Sequence, residues 1–173
     1  MKNIFKKDDL KLINYKKLEK LYKFASKSKN RRFRISLHKS TKELIQETII
    51  IASGFSYIPP HKHPKNKTES YHIIKGQLNI YLLSDTGKVK KKIVLRKNKN
   101  SFQIYKLSKS IYHLVIPRSK FTIWHEVTQG PFIKNSKKFM KIAKFSPKKN
   151  SKLSDIKNYC NKLCKINVDK LEG

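Results

Sequence analysis

Residues 54–76, GFSYIPPHKHPKNKTESYHIIKG, decide how this chain is read. His61 and His63 are two residues apart, a spacing that on a strand puts both rings on one face, where two neutral imidazoles can converge on one ion. Glu69 and Gly76 follow. If Glu69 points inward, Tyr71 and Ile73 share its face and His72 points away. A lone His-x-His pair is common on protein surfaces, so the spacing to Glu69 and Gly76 gives it weight.

On either side of this stretch the chain reads as strands at short intervals. Before the histidines, Phe33, Ile35 and Leu37 alternate with Arg34, Ser36 and His38, and IQETIIIAS (45–53) is rich in β-branched residues. After them come YHIIK, QLNIYLLS, the turn Asp85-Thr86-Gly87, KVKKKIVL, SFQIYKL, IYHLVIP and KFTIWHEVT. No helical period interrupts this run, which predicts an antiparallel barrel or sandwich rather than an α/β fold. The ends differ. Asp8 to Lys29 places Leu10, Ile13, Leu18 and Leu21 at helical spacing, and after a Pro/Lys/Ser linker near residue 147 a short helix carries Leu153, Ile156, Cys160 and Leu163 on one side. The expected organisation is a helical segment over 1–30, a barrel over 31–146, and a linker with a C-terminal helix over 147–173.

The ordered set Gly54, His61-x-His63, Glu69, Gly76 resembles the first motif of the cupin superfamily, with slightly longer spacings, and His113 in IYHLVIP sits where the second motif has its histidine. The flanks PPHKHP, GQLNIYLLSDTGKV, YHLVIP and HEVTQGPF, with RRFRISLH before them, resemble the WbuC-type cupins encoded in bacterial O-antigen and related polysaccharide clusters. The likeness covers roughly residues 8 to 146. It departs at Ser108-Lys109-Ser110, where proline and glycine are usual before the last histidine.

The resemblance implies a mainly β fold, a cupin jelly-roll barrel with helices at both ends, and a metal held by His61, His63, Glu69 and His113. It also implies that Arg34 and His38 line the same pocket, although a surface strand would show the same alternation; Tyr71, on the face of Glu69, joins them as a pocket candidate. Three imidazoles and a carboxylate suit one first-row divalent ion, Fe, Mn, Zn or Ni, with coordination positions left open. The expected ligand is a small polar metabolite, a sugar or nucleotide sugar of surface polysaccharide assembly. Isomerisation, epimerisation, oxygen chemistry and non-catalytic binding all stay open, and no catalytic side chain is singled out. His125 falls on the apolar face Phe121, Ile123, Val127 and reads as a core histidine.

Composition bounds the partners. The 173 residues carry a net charge of +31, which taken alone suggests a polyanion. Yet only Arg31, Arg32, Arg34, Arg96 and Arg118 are arginine, the lysines are spread over every segment, and no nucleic-acid module is visible. A dispersed solvated coat with no specific nucleic-acid partner is expected. No stretch approaches the roughly 18 apolar residues of a membrane span, and a cytoplasmic setting is the default. Cys160 and Cys164, four apart on a helix, read as small apolar contacts rather than a disulfide or zinc site. Exposed edge strands would favour a homodimer.

Overall fold

The computed structural model describes residues 12–132, 141–148 and 150–166. Its longest strands, β2 (Ile45–Ser53) and β9 (Phe121–Gln129), pair antiparallel over nine residues, from Ile45 opposite Gln129 to Ser53 opposite Phe121. β2 has the apolar run Ile49–Ala52 because both of its faces are covered. Ile50 and Ala52 enter the core between the sheets, whereas Ile49 and Ile51 pack under a helix.

Around this pair, β1 (Arg32–Ser36), β4 (Glu69–Lys75) and β7 (Ile104–Leu107) complete a five-stranded sheet in the order β1-β2-β9-β4-β7. A second sheet has the order β10-β3-β8-β5-β6, formed by β3 (His61–Lys62), β5 (Gln77–Leu83), β6 (Val89–Arg96), β8 (Tyr112–Pro117) and β10 (Lys141–Ile142). All the pairings between these strands are antiparallel. Trp124, Tyr71, Leu78, Ile80, Leu95 and Val115 fill the space between the sheets.

Each sheet has a helix on its outer face. Helix α1 (Tyr15–Lys27) buries Leu18 and Ala25 against Ile35, Ile49, Ile51 and Ile123. It starts where the Asn14 side chain accepts a hydrogen bond from the Lys17 backbone N–H at 2.9 Å. The helix expected from Asp8 is thus shorter among the described residues, Leu12 and Phe24 are exposed, and Asp8 to Lys11 lie outside the described residues. Helix α2 (Leu153–Cys164) lays Ile156, Cys160 and Leu163 over Tyr81, Leu83, Leu114 and Ile116 of the second sheet. Cys160 is buried there, and the Tyr81 hydroxyl donates to Cys164 Sγ at 3.4 Å. Both thiols are free.

The strand expectations match the structure, with two additions. β3 and β10 are two-residue strands joined to each other, and β3 is short because Pro59, Pro60 and Pro64 flank it without an N–H to donate. Gly76 makes the tight passage from β4 to β5. Its φ is +78°, and a Cβ there would lie 2.5 Å from the Phe121 carbonyl oxygen. Gly76→Ala is therefore expected to destabilise the protein by about 1–3 kcal/mol, read as a lowered urea midpoint; an unchanged midpoint would mean that this turn relaxes freely.

Candidate metal centre

Strand pairing assembles the site. β3 runs beside β8 so that His61 stands opposite His113, their ring centroids 4.4 Å apart. His63, one residue past the end of β3, keeps to the face of His61 with its centroid 5.2 Å away. Glu69 begins β4 in the other sheet and closes the group across the barrel. All four side chains are buried, and one ligand atom from each lies within 4.8 Å of the others.

The hydrogen bonds around the cluster select its lone pairs. His61 Nδ1 is 3.0 Å from the Pro59 carbonyl and His113 Nδ1 is 3.0 Å from the Ile111 carbonyl. A carbonyl only accepts, so each Nδ1 carries the proton and each Nε2 presents a lone pair, the usual outer support of a metal-bound histidine. Glu69 Oε2 accepts from the Tyr71 hydroxyl at 2.9 Å and lies 3.2 Å from His63 Nε2. Glu69 Oε1 and His113 Nε2 stand 2.8 Å apart, yet neither is in hydrogen-bond geometry with any partner. Two buried lone-pair atoms left facing each other are costly, and a shared cation would satisfy both. The donor set therefore fits a divalent ion held by His61, His63, Glu69 and His113.

Charge states agree with that fit. Burial, with His113 adding to it, pushes the His61 imidazole down to about 3, so it is neutral at physiological pH. Burial alone would raise Glu69; with no ion present, His113 and His63 in their protonated forms outweigh it and hold its carboxyl well below the usual range, and a bound cation would act in the same sense beside neutral imidazoles. Tyr71 is buried at 2% exposure, and its hydroxyl orients the carboxylate. Tyr71→Phe is expected to keep the fold and weaken metal affinity by roughly 10- to 100-fold, as measured by competition with a chromophoric chelator. Unchanged affinity would show that this hydrogen bond has no part in holding the ion.

A cavity of about 380 Å3 opens above the cluster. Arg34, His38 and Tyr71 all line it, with His61, His63 and Glu69 at its base. Arg34 and Ser36 of β1 face this interior because the alternate residues Phe33 and Ile35 face α1. Residues not anticipated from the sequence also contribute, chiefly Gln46, Thr48, Glu126 and Thr128. Register explains them. Ser36, Thr48, Glu126 and Tyr71 are successive cross-strand partners in one row of the first sheet. The signal was the polar half of each alternation. Burial raises the Glu126 carboxyl, with Arg34 opposing that rise.

His72 and His125 lie on the other face. They are cross-strand partners with ring centroids 5.7 Å apart, and His125 Nε2 is 3.6 Å from Glu47 Oε1. His72 is outside the ligand cluster, as the alternation predicts. His125 is half-buried rather than a core residue: the apolar face of β9 packs outward toward α1, and the barrel side is the one bearing Trp124 and Glu126.

Comparison with known proteins places this geometry. The profile of a domain of unknown function, DUF6016, matches residues 13–95, just under half of the chain. No curated protein matches it in sequence. Among solved structures, protein SO0799 from Shewanella oneidensis superposes with a TM-score of 0.54 at 12% identity, over 72% of this chain and 82% of that one. The cupin domain of Schizosaccharomyces pombe Cnp3 gives 0.44 at 11% identity, over 57% and 64%. An oxalate oxidase gives 0.45 at 18% identity, over 60% of this chain, and the match spans only 52% of the oxidase. Among the described residues no helix is long and apolar enough to cross a membrane. Two antiparallel five-stranded sheets, closing around histidines from one sheet and a glutamate from the other, give this chain the cupin fold with a buried cluster that could hold a metal ion.

Proposed function

We propose that this protein is a metal-dependent cupin that binds a small polar metabolite in the cavity above His61, His63, Glu69 and His113. The carrying observation is the buried three-histidine, one-carboxylate cluster at the base of a polar-walled cavity. When bound, a first-row divalent ion would supply Lewis acidity toward a carbonyl or hydroxyl oxygen. The chain's own part is to hold the ligand against that position and to exclude bulk water. Glu126 is the carboxyl of the cavity wall outside the ligand set, and so the candidate for handling a proton.

The resemblance to WbuC-type cupins supports a sugar or nucleotide sugar of surface polysaccharide assembly as the ligand, in a cytoplasmic setting. The test is a panel of sugars and nucleotide sugars offered to metal-loaded protein, followed by ligand-observed NMR. Turnover that stops on chelation establishes an enzyme; binding without turnover establishes a binding module; no binding by any member counts against a sugar ligand.

The charge of +31 favours a second reading, a polyanion-binding protein. Our reading expects nucleic-acid affinity to be sequence-blind and nearly lost by about 0.2 M salt, because such contacts depend on counterion release. Sub-micromolar binding under those conditions, measured on several unrelated DNA and RNA sequences, would promote that function instead.

A further inference from the structure

The cavity wall contains a half-buried guanidinium with no ion pair to a described carboxylate. Arg34 enters from β1, and its Nε is fully shielded from solvent without a hydrogen-bond partner. Buried donors are seldom left so. The guanidinium is permanently charged and offers five donors in a planar fork. Glu126 and Arg32 act on it through space, but no ion pair joins it to a described carboxylate, and Glu69 is turned toward His63 and His113 and accepts from Tyr71. Hydroxyls surround the approach: Ser36 and Thr48 line the same wall as successive partners in the sheet.

We propose that Arg34 is the anion-binding residue of this cavity and that the ligand is an acidic sugar-sized molecule, its carboxylate received by the Arg34 guanidinium where it lines the cavity while another of its oxygens reaches the metal position. This deepens the functional reading above and rests on it. Three observations converge. Arg34 lines the cavity with no ion pair to a described carboxylate, and the planar fork of its guanidinium matches the two oxygens of a carboxylate. Of the two cations that line the cavity, Lys39 is exposed and Arg34 is partly offset by Glu126, so a monoanion suits the charge of the wall. The cavity, about 380 Å3, is near the lower end of the roughly 300–1,000 Å3 span of ligand pockets. It holds a single sugar ring, and a nucleotide sugar would protrude from it.

The test uses full-length protein loaded with zinc and titrated with glucuronate, glucose and glucose 6-phosphate, which share a ring and differ at one substituent. Binding is followed by NMR shifts and calorimetry. Glucuronate is expected to bind at least about tenfold more tightly than glucose, and more tightly than the phosphate ester, as one fork against one carboxylate requires. Arg34→Gln should bring glucuronate to within about twofold of glucose while zinc content stays at the wild-type level. Arg34→Lys, which keeps the charge without the fork, should lose most of the preference and serves if Arg34→Gln does not fold. A preference that survives both variants, or zinc-loaded wild type that does not favour glucuronate over glucose, overturns the role of Arg34. Tighter binding of the phosphate ester overturns the carboxylate. Protein that takes up no zinc refutes the metal reading itself, and this inference with it.

Discussion

Replacing His113 with alanine is expected to remove nearly all bound metal, a loss larger than the roughly 10- to 100-fold that the absence of an outer hydrogen-bond partner costs. His113 is fully buried, its ring is fixed through Nδ1 to the Ile111 carbonyl, and its Nε2 faces Glu69 Oε1 at 2.8 Å. No other described histidine can take its place, because His72 and His125 sit on the opposite face of their sheet and His38 bonds to the Glu47 carbonyl through Nδ1. Chelator competition on the variant, with circular dichroism to confirm the fold, gives the answer. His72→Ala should leave affinity within about twofold of wild type, since it removes no ligand and no ligand's partner. Equal losses in the two variants would place the ion elsewhere.

The second large effect concerns acid. An unfolded chain protonates His61 near its ordinary value of about 6.5, but in the folded, metal-free protein burial delays protonation to about 3. Between those two values the unfolded state takes up a proton that the folded state refuses, so stability falls as pH drops from about 6.5 toward 3 and is level above that range. From about pH 7 to about pH 5 the loss assignable to His61 is about 2 kcal/mol. Glu69 acts in the same sense at lower pH. Its carboxyl is held below the ordinary 4.5, so its stabilisation is present above that value and is lost as pH falls below it. Urea unfolding of chelator-treated protein at the two pH values measures the drop; His61→Ala should show less of it, and an identical drop in that variant would assign the effect to other groups.

Much of the fold could be read because strands alternate. The His61, His63 spacing and the inward placement of Glu69 and Tyr71 with His72 outward follow from the two-residue period, and the structure has all of them. What alternation leaves open is which face is the interior. In β9 the apolar half, Phe121 and Ile123, serves α1, and the half containing Glu126 serves the cavity. In β1 the same inversion turns Arg34 and Ser36 inward. A sheet covered by a helix on its outer face is as apolar there as toward the barrel, so hydrophobicity alone does not distinguish the two sides. The pairing of β3 with β10 was out of reach for another reason. Two residues between prolines have no periodicity to read, and their partner arrives from beyond the last long strand.

Elemental analysis of protein purified without added metal, run beside the His61→Ala/His63→Ala double variant, decides whether the four buried side chains hold a metal. The cluster predicts close to one transition-metal ion per wild-type chain, because no second group of this kind exists among the described residues. It predicts almost none in the double variant, which retains only His113 and Glu69 of the donor set. A double variant that keeps full occupancy would contradict the assignment of the metal to this site.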